Sequence, residues 1–257
     1  MNTINPSNSD QNIIIDLYSN GKFADALKSI KSFQEIYPYS EILFNFLGAV
    51  YLEMKEIKLA LKNFKKAIQL KTNYVEAYNN LGLVYFKIND LKNAKVFFLK
   101  TIDLNRNYIE GYNNLGLTSL EGQEYEKAID YFKLAIKINK DYFPGWINLG
   151  NAYLKLEKFH DALNCYEHAK IINNNSSELY SGMGNLCNSQ GKLNEAIEFY
   201  KKAINISPNN SNLYSNIGVL LKDNNKIIEA ISYFLEGLNY NPLDYNILNN
   251  LGDTYKS

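Results

Sequence analysis

The sequence predicts an all-α protein: a solenoid of about seven 34-residue helix–turn–helix repeats, with one extra helix at the C-terminus. Three observations predict it. Glycine returns at Gly48, Gly82, Gly116, Gly150, Gly184, Gly218 and Gly252, each 34 residues after the last. Alanine keeps the same step at Ala26, Ala60, Ala94, Ala128, Ala162, Ala196 and Ala230. Between them, apolar residues follow a helical period: Tyr78, Leu81, Gly82 and Tyr85 stand at i, i+3, i+4 and i+7, one face of an amphipathic helix. No insertion breaks the register, which is the mark of stacked repeats.

Residues 1–6 read as a polar tail, and residues 7–257 as the array. Repeats start at 7, 41, 75, 109, 143, 177 and 211, with a half repeat from 245. Counting within a repeat, positions 4, 7, 8 and 11 form the stripe of the first helix. Its start is signalled by Asn73 with Glu76, Asn107 with Glu110 and Asn175 with Glu178, pairs three apart that predict capping boxes. Its end falls at position 15, where Gly21, Asn89, Gly191 and Asn225 tolerate positive φ but Lys55, Gln123 and Glu157 do not favour it. The second helix carries its stripe at positions 20, 24 and 27, as in Ala128, Phe132 and Ala135. Pro38, Pro208 and Pro242, at position 32, close it. The small residues at 8 and 20 predict the point where the two helices come closest, with the aromatics at 4, 11 and 24 filling the wider gaps on either side.

The half repeat keeps Leu248, Gly252 and Tyr255 at positions 4, 8 and 11, the face that packs on a second helix. A helix evolved as a terminal cap should be polar there, because end repeats meet water. The expectation is that Leu248 and Tyr255 are exposed, and that the chain is a truncated or recently split part of a longer protein or has this face covered by another chain.

Composition bounds the function. Of 257 residues, 46% are hydrophobic and 21% charged, a balance that suits a packed protein rather than a disordered one. Lys and Arg number 27 and so do Asp and Glu, giving no basic excess for a nucleic-acid backbone. The polar opening MNTINPSNSDQN is no secretory signal, and no apolar run nears the roughly 20 residues that span a bilayer. The expected location is cytoplasmic, with neither membrane nor nucleic acid as partner. Asn makes up about one residue in seven, far above ordinary usage; an AT-rich genome would give the same bias without a functional cause.

Nothing in the pattern supports catalysis. The two histidines, His160 and His168, fall at positions 18 and 26, off the packing stripes, and read as solvated. Cys187 stands at a core aromatic position and reads as a small buried hydrophobe. Cys165 and Cys187 have neither zinc-ligand nor redox spacing. No phosphate loop, Ser/His/Asp set or metal cluster is visible. The sequence predicts a protein that is no enzyme and needs no metal or cofactor.

Tyr or Trp at 4, Leu at 7, Gly at 8, Tyr at 11, Ala at 20, an aromatic at 24 and Ala at 27 resemble the tetratricopeptide repeat. The repeat from 143 carries nearly the whole pattern in Trp146, Leu149, Gly150, Tyr153, Ala162, Tyr166 and Ala169. Departures leave the register intact: Ile14 replaces the first Gly; Leu17, Ser119, Cys187 and Leu221 replace the Tyr at 11; Phe33, Thr101 and Gly237 replace the Ala at 27. The resemblance covers about residues 7–257 and implies a right-handed solenoid whose first helices line a concave, partner-binding groove through positions 2, 5, 6, 9, 12 and 13.

Position 6 on that face is Asn80, Asn114, Asn148, Asn216 and Asn250, with Phe46 and Gly182 as exceptions and Asn12 in the degenerate first repeat. A side-chain amide can donate to a carbonyl and accept from an N–H of an extended peptide. The column is similar to the asparagine ladder in the repeat domain of O-linked N-acetylglucosamine transferases, which implies peptide binding; the alternative is an inert polar groove whose asparagines were copied by duplication. Clamps for a C-terminal carboxylate in this family use Lys or Arg at positions 2 and 6. Position 2 here is Ile42, Glu76, Glu110, Pro144, Glu178, Asn212 and Asn246, so no such clamp is expected. Leu83 and Leu117 at position 9, with Leu52, Phe86, Leu120 and Leu154 at position 12, are either a recognition floor or lateral packing; the apolar run stops at Asn188, Lys222 and Lys256. The function implied is a non-catalytic scaffold binding protein or peptide partners. The alternative is the N-terminal portion of a longer glycosyltransferase or sulfotransferase, since similar arrays precede such domains. RNA reading, as in the related pentatricopeptide repeats, fits poorly with a period of 34 and no basic face.

Overall fold

A computed structural model describes residues 5–256. Fifteen α-helices and no strand occur among the described residues, and none of the helices is long and apolar enough to cross a membrane. The chain divides into two compact bodies at Ile138/Asn139. The first holds α1 (Asn8–Ser19), α2 (Phe23–Ile36), α3 (Glu41–Glu53), α4 (Ile57–Leu70), α5 (Val75–Lys87), α6 (Leu91–Leu104), α7 (Ile109–Glu121) and α8 (Tyr125–Ile138). The second holds α9 (Phe143–Lys155), α10 (Phe159–Ile172), α11 (Ser177–Ser189), α12 (Leu193–Ile206), α13 (Ser211–Asp223), α14 (Ile227–Tyr240) and α15 (Tyr245–Lys256). Each repeat is one helical hairpin, and α15 is the extra helix.

The hairpin turn is the same in all seven repeats. Position 15 has positive φ everywhere: Gly21 at 70° and Gly191 at 73°, but also Lys55, Asn89, Gln123, Glu157 and Asn225 at 56–63°. The N–H of position 16 reaches back to the carbonyl of position 11, as from Glu56 to Tyr51 and Asp90 to Tyr85, a Schellman closure of the first helix. Lys55, Gln123 and Glu157 therefore adopt the left-handed turn despite their side chains, because hairpin packing fixes the path. Helix starts differ from the sequence expectation. The cap residues are Tyr74 and Tyr108, which make no side-chain cap bond, and Ser176, whose hydroxyl accepts from the Leu179 N–H. Asn73, Asn107 and Asn175 lie one residue too early, so the three capping boxes do not form. The prolines behave as read, each following directly on a cap residue at the end of α2, α12 or α14.

The hairpin core gives the glycines a specific neighbour. In the first body, Phe64, Phe98 and Phe132 at position 24 lie on Gly48, Gly82 and Gly116; a Cβ on Gly82 would stand 2.5 Å from Phe98 Cε1. In the second body, Tyr166, Tyr200 and Phe234 lie likewise on Gly150, Gly184 and Gly218. All six rings are fully or nearly fully buried. The atoms nearest a Cβ on each of these glycines are thus those of the ring at position 24. Where position 24 is Tyr, position 9 is Asn: the Tyr166 and Tyr200 hydroxyls donate to Asn151 and Asn185 Oδ1 at 2.8 and 2.7 Å. Burial raises both phenols well above their usual range.

At the chain ends, residues 1–4 of the expected polar tail, and Ser257, lie outside the described residues. Asn5 docks onto the start of α3, donating to Glu41 Oε1 at 3.1 Å and accepting from the Ser40 hydroxyl at 2.6 Å. On α15, Ile247, Leu251 and Thr254 are buried against the second body, whereas Leu248 and Tyr255 are 40% and 64% exposed. A Cβ on Gly252 would meet nothing within 4 Å. The expected exposure of this face is observed.

Candidate functional site

First helices of successive repeats lie side by side, α3 against α5 and α5 against α7 in the first body, α9 against α11 and α13 against α15 in the second. Positions 5 and 6 sit at this seam. Asn80 Nδ2 donates to Asn45 Oδ1 at 3.0 Å, and Asn114 Nδ2 donates to Asn79 Oδ1 at 2.9 Å. In the second body, Asn250 Nδ2 reaches Ser215 Oγ at 3.4 Å. The donor is position 6 in each pair, and the acceptor is position 5 of the repeat before. Asn148 is also engaged in an interaction, whereas Asn216 makes no side-chain bond among the described residues. All five position-6 asparagines are half-buried.

These bonds use part of each amide. An Asn side chain offers two N–H donors and an oxygen with two lone pairs. After one N–H is spent on the preceding repeat, Asn80, Asn114 and Asn250 each keep a donor and an acceptor. The seam bond also fixes the rotamer, so the remaining polar atoms are held in place before anything binds. The column is interrupted at Gly182 for a steric reason: a Cβ there would stand 2.8 Å from Tyr166 Cε1.

Two tyrosines beside the column are not singled out by the repeat pattern. Tyr74 and Tyr108, at position 34, are the cap residues of α5 and α7. Asn45, which accepts from Asn80, also lies near the Tyr74 phenol. Burial, followed by the nearby Glu110 and Glu76, pushes the Tyr108 phenol up to about 12, and burial with Glu76 and Glu41 raises Tyr74 further. Both remain neutral hydrogen-bonding groups at physiological pH. Glu76 and Glu110 at position 2 are exposed, with no cap bond to hold them.

The apolar residues of this face turn mostly inward. Leu52 is buried, Leu83 and Phe86 pack on the cluster around Ala94 and Phe98, and Leu154 packs on that around Tyr166. Lateral packing accounts for these four. The remaining candidates for chemistry sit apart. His160 and His168 are both exposed, as the register implies, but His168 stacks on Trp146 with ring centroids 4.4 Å apart. Cys187 is buried, and burial followed by Glu195 raises its thiol. Among the described residues no group of three or more His, Cys, Asp or Glu side chains could hold a metal ion.

Repeats stacked helix on helix, with glycine under an aromatic ring in six of them, define a class of helical repeat proteins. The chain belongs to the tetratricopeptide repeat family. Residues 48–89 and 184–225 match one description of the TPR repeat, and residues 75–108, 109–142, 143–176 and 211–242 match others of the tetratricopeptide repeat. No curated protein matches the chain. Among solved structures, a tetratricopeptide repeat protein from Parabacteroides merdae is similar over 96% of this chain and 98% of its own, with 17% identity and a TM-score of 0.80. A chain of the APC/C hetero-tetramer Cut9-Hcn1 is similar over 94% of this chain at 14% identity and a TM-score of 0.78. This chain spans only 48% of that one. A thermophilic TPR protein of Thermus thermophilus is similar over 71% of this chain and 99% of its own, with 22% identity and a TM-score of 0.63. These likenesses show the fold. Members of the family commonly act as scaffolds for protein–protein interaction, and one of the similar structures is a complex of subunits.

Proposed function

We propose that this chain is a non-catalytic scaffold that binds an extended peptide or protein segment along its first helices, holding the backbone through Asn80, Asn114, Asn148, Asn216 and Asn250. The observation that carries the reading is the column itself: five half-buried asparagines at one repeat position, three of them braced by a bond to the repeat before. Braced amides with a donor and an acceptor left over suit the alternating C=O and N–H groups of an extended chain. The absence of Lys or Arg from positions 2 and 6 favours backbone recognition over capture of a terminal carboxylate.

The test is capture of partners from a lysate and of arrayed peptides by the wild type and by Asn80→Ala/Asn114→Ala/Asn148→Ala. Each peptide hydrogen bond is worth about 0.5–1.5 kcal/mol, so the triple variant should lose binding at least tenfold while keeping its helicity. Asn79→Ala separates bracing from binding: it removes the acceptor beneath Asn114 but leaves the Asn114 amide. It should weaken capture far less than the triple variant. Unchanged capture by the triple variant would leave the column as seam bonding alone.

A further inference from the structure

The groove positions of the two bodies differ in charge. In α3, α5 and α7, positions 2, 5, 6, 9, 12 and 13 carry four carboxylates, Glu53, Glu76, Glu110 and Glu121, against one ammonium, Lys87. Lys87 is committed to Glu53 at 3.0 Å. Among the described residues Glu76, Glu110 and Glu121 have no ion-pair partner, and all three are exposed. The same positions of α9, α11, α13 and α15 hold three cations and three carboxylates. In a chain of zero formal net charge, the acidic excess is therefore local to the face that carries Asn80 and Asn114.

The chain itself shows how a cation sits beside a tyrosine at position 34. The Lys71 ammonium stands 5.0 Å from the centre of the Tyr74 ring and 3.8 Å from Glu41 Oε1, held by an aromatic face and a carboxylate together. One repeat later the ring is Tyr108, and the place of Lys71 is taken by Asn105, whose side-chain oxygen accepts from the Asn107 N–H. Among the described residues no Lys or Arg stands over the Tyr108 ring. Two carboxylates nevertheless lie near it: after burial, Glu110 and then Glu76 raise its phenol. Glu41 is buried and bonded to Asn5, whereas Glu76 and Glu110 face solvent. Around Tyr108 the ring and the carboxylates are present, and the cation is not supplied by this chain.

We propose that the first body selects a basic peptide, whose lysine or arginine side chains meet Glu76 and Glu110 with the Tyr108 ring as the wall between them. The inference rests on the asparagine reading for the peptide backbone and adds the chemistry of its side chains. The geometry sets a spacing. Packed helices lie about 8–10 Å apart, and an extended chain rises about 3.3 Å per residue, so basic residues three apart span neighbouring repeats. An acidic peptide would bring like charges onto the same two carboxylates and be turned away.

The experiment is an amide NMR titration of the full chain, at low salt, with acetyl-(Ser-Gly-Lys)3-amide. Two control peptides replace every lysine, one by norleucine and one by glutamate. Saturable shifts are expected at 74–80 and 108–114, with the lysine peptide binding about five- to tenfold more tightly than the norleucine one. The glutamate peptide should not bind, and the lysine advantage should shrink as salt is raised. Glu76→Gln/Glu110→Gln, changed only at exposed positions, should bring the lysine peptide down to the affinity of the norleucine one. Tyr108→Leu should weaken the lysine peptide about two- to fivefold, and Tyr108→Phe, which keeps the ring, should restore it. No preference for lysine over norleucine, shifts that scatter over other acidic surface, or a lysine advantage that survives in the glutamine double variant overturns the inference. The asparagine reading fails on a different result, which is unchanged capture of the arrayed peptides by Asn80→Ala/Asn114→Ala/Asn148→Ala.

Discussion

A glycine inside a helix costs about 1 kcal/mol relative to alanine, so seven of them at one repeat position require a cause. Six have it in the ring at position 24, which occupies the space a Cβ would take. Gly116→Val forces the Phe132 ring and its helix away, an overpacking that should cost about 1–3 kcal/mol in urea melts. His168→Ala is the matching surface change. It removes the ring stacked on Trp146, the chain's only tryptophan, so the fluorescence should change while stability falls by no more than about 1 kcal/mol. A larger loss for His168→Ala than for Gly116→Val would mean that the hairpins do not pack in this register.

Between the two helices of a hairpin, the choice at position 24 is tied to the choice at position 9. Repeats with Phe98 and Phe132 carry Leu83 and Leu117, whereas Tyr166 and Tyr200 donate to Asn151 and Asn185. Tyr166→Phe leaves Asn151 without its donor, and Asn151→Leu strands the buried Tyr166 hydroxyl. Each should destabilise by about 1–3 kcal/mol, the penalty of an unmatched buried group. The double variant restores the Phe/Leu pairing that other repeats use, so a thermodynamic cycle should show the second change recovering about 1 kcal/mol or more. Additive losses would mean that the two side chains do not interact. This pair also marks what the sequence makes legible. The helices, their stripes and the glycine–alanine register follow from period alone, because an intact step of 34 fixes which residues face which within a hairpin. The asparagine column was visible for the same reason. Its seam bonds were not, because they join residues 35 apart through the rotation of one repeat on the next, which no spacing encodes. Tyr74 and Tyr108 were missed since position 34 reads as linker, and the capping boxes misled because the turn ends one residue later than Asn and Glu suggest.

Across the molecule, stability in a repeat array is close to a sum of local terms and contacts between neighbours, so an element with fewer neighbours opens first. In the second body α15 rests on α13 and α14 by one face, through the buried Ile247, Leu251 and Thr254 and the Asn250 amide that reaches Ser215, with its start tied down by the Ser211 hydroxyl donating to Asp244 at 2.8 Å. Its other face carries Leu248, Gly252 and Tyr255 into solvent. Amide hydrogen exchange should therefore show α15 less protected than α13 and α14. Gly252 is the one position-8 glycine with no ring above it, so Gly252→Ala gains helix propensity without a clash. It should slow exchange in α15 by up to about fivefold, equivalent to about 1 kcal/mol, and leave α1 to α8 unchanged. The same substitution at Gly218, beneath Phe234, should destabilise α13 and α14. If Gly252→Ala instead accelerates exchange in α15, that glycine is covered in solution, and the exposed face of α15 is occupied by another copy of the chain.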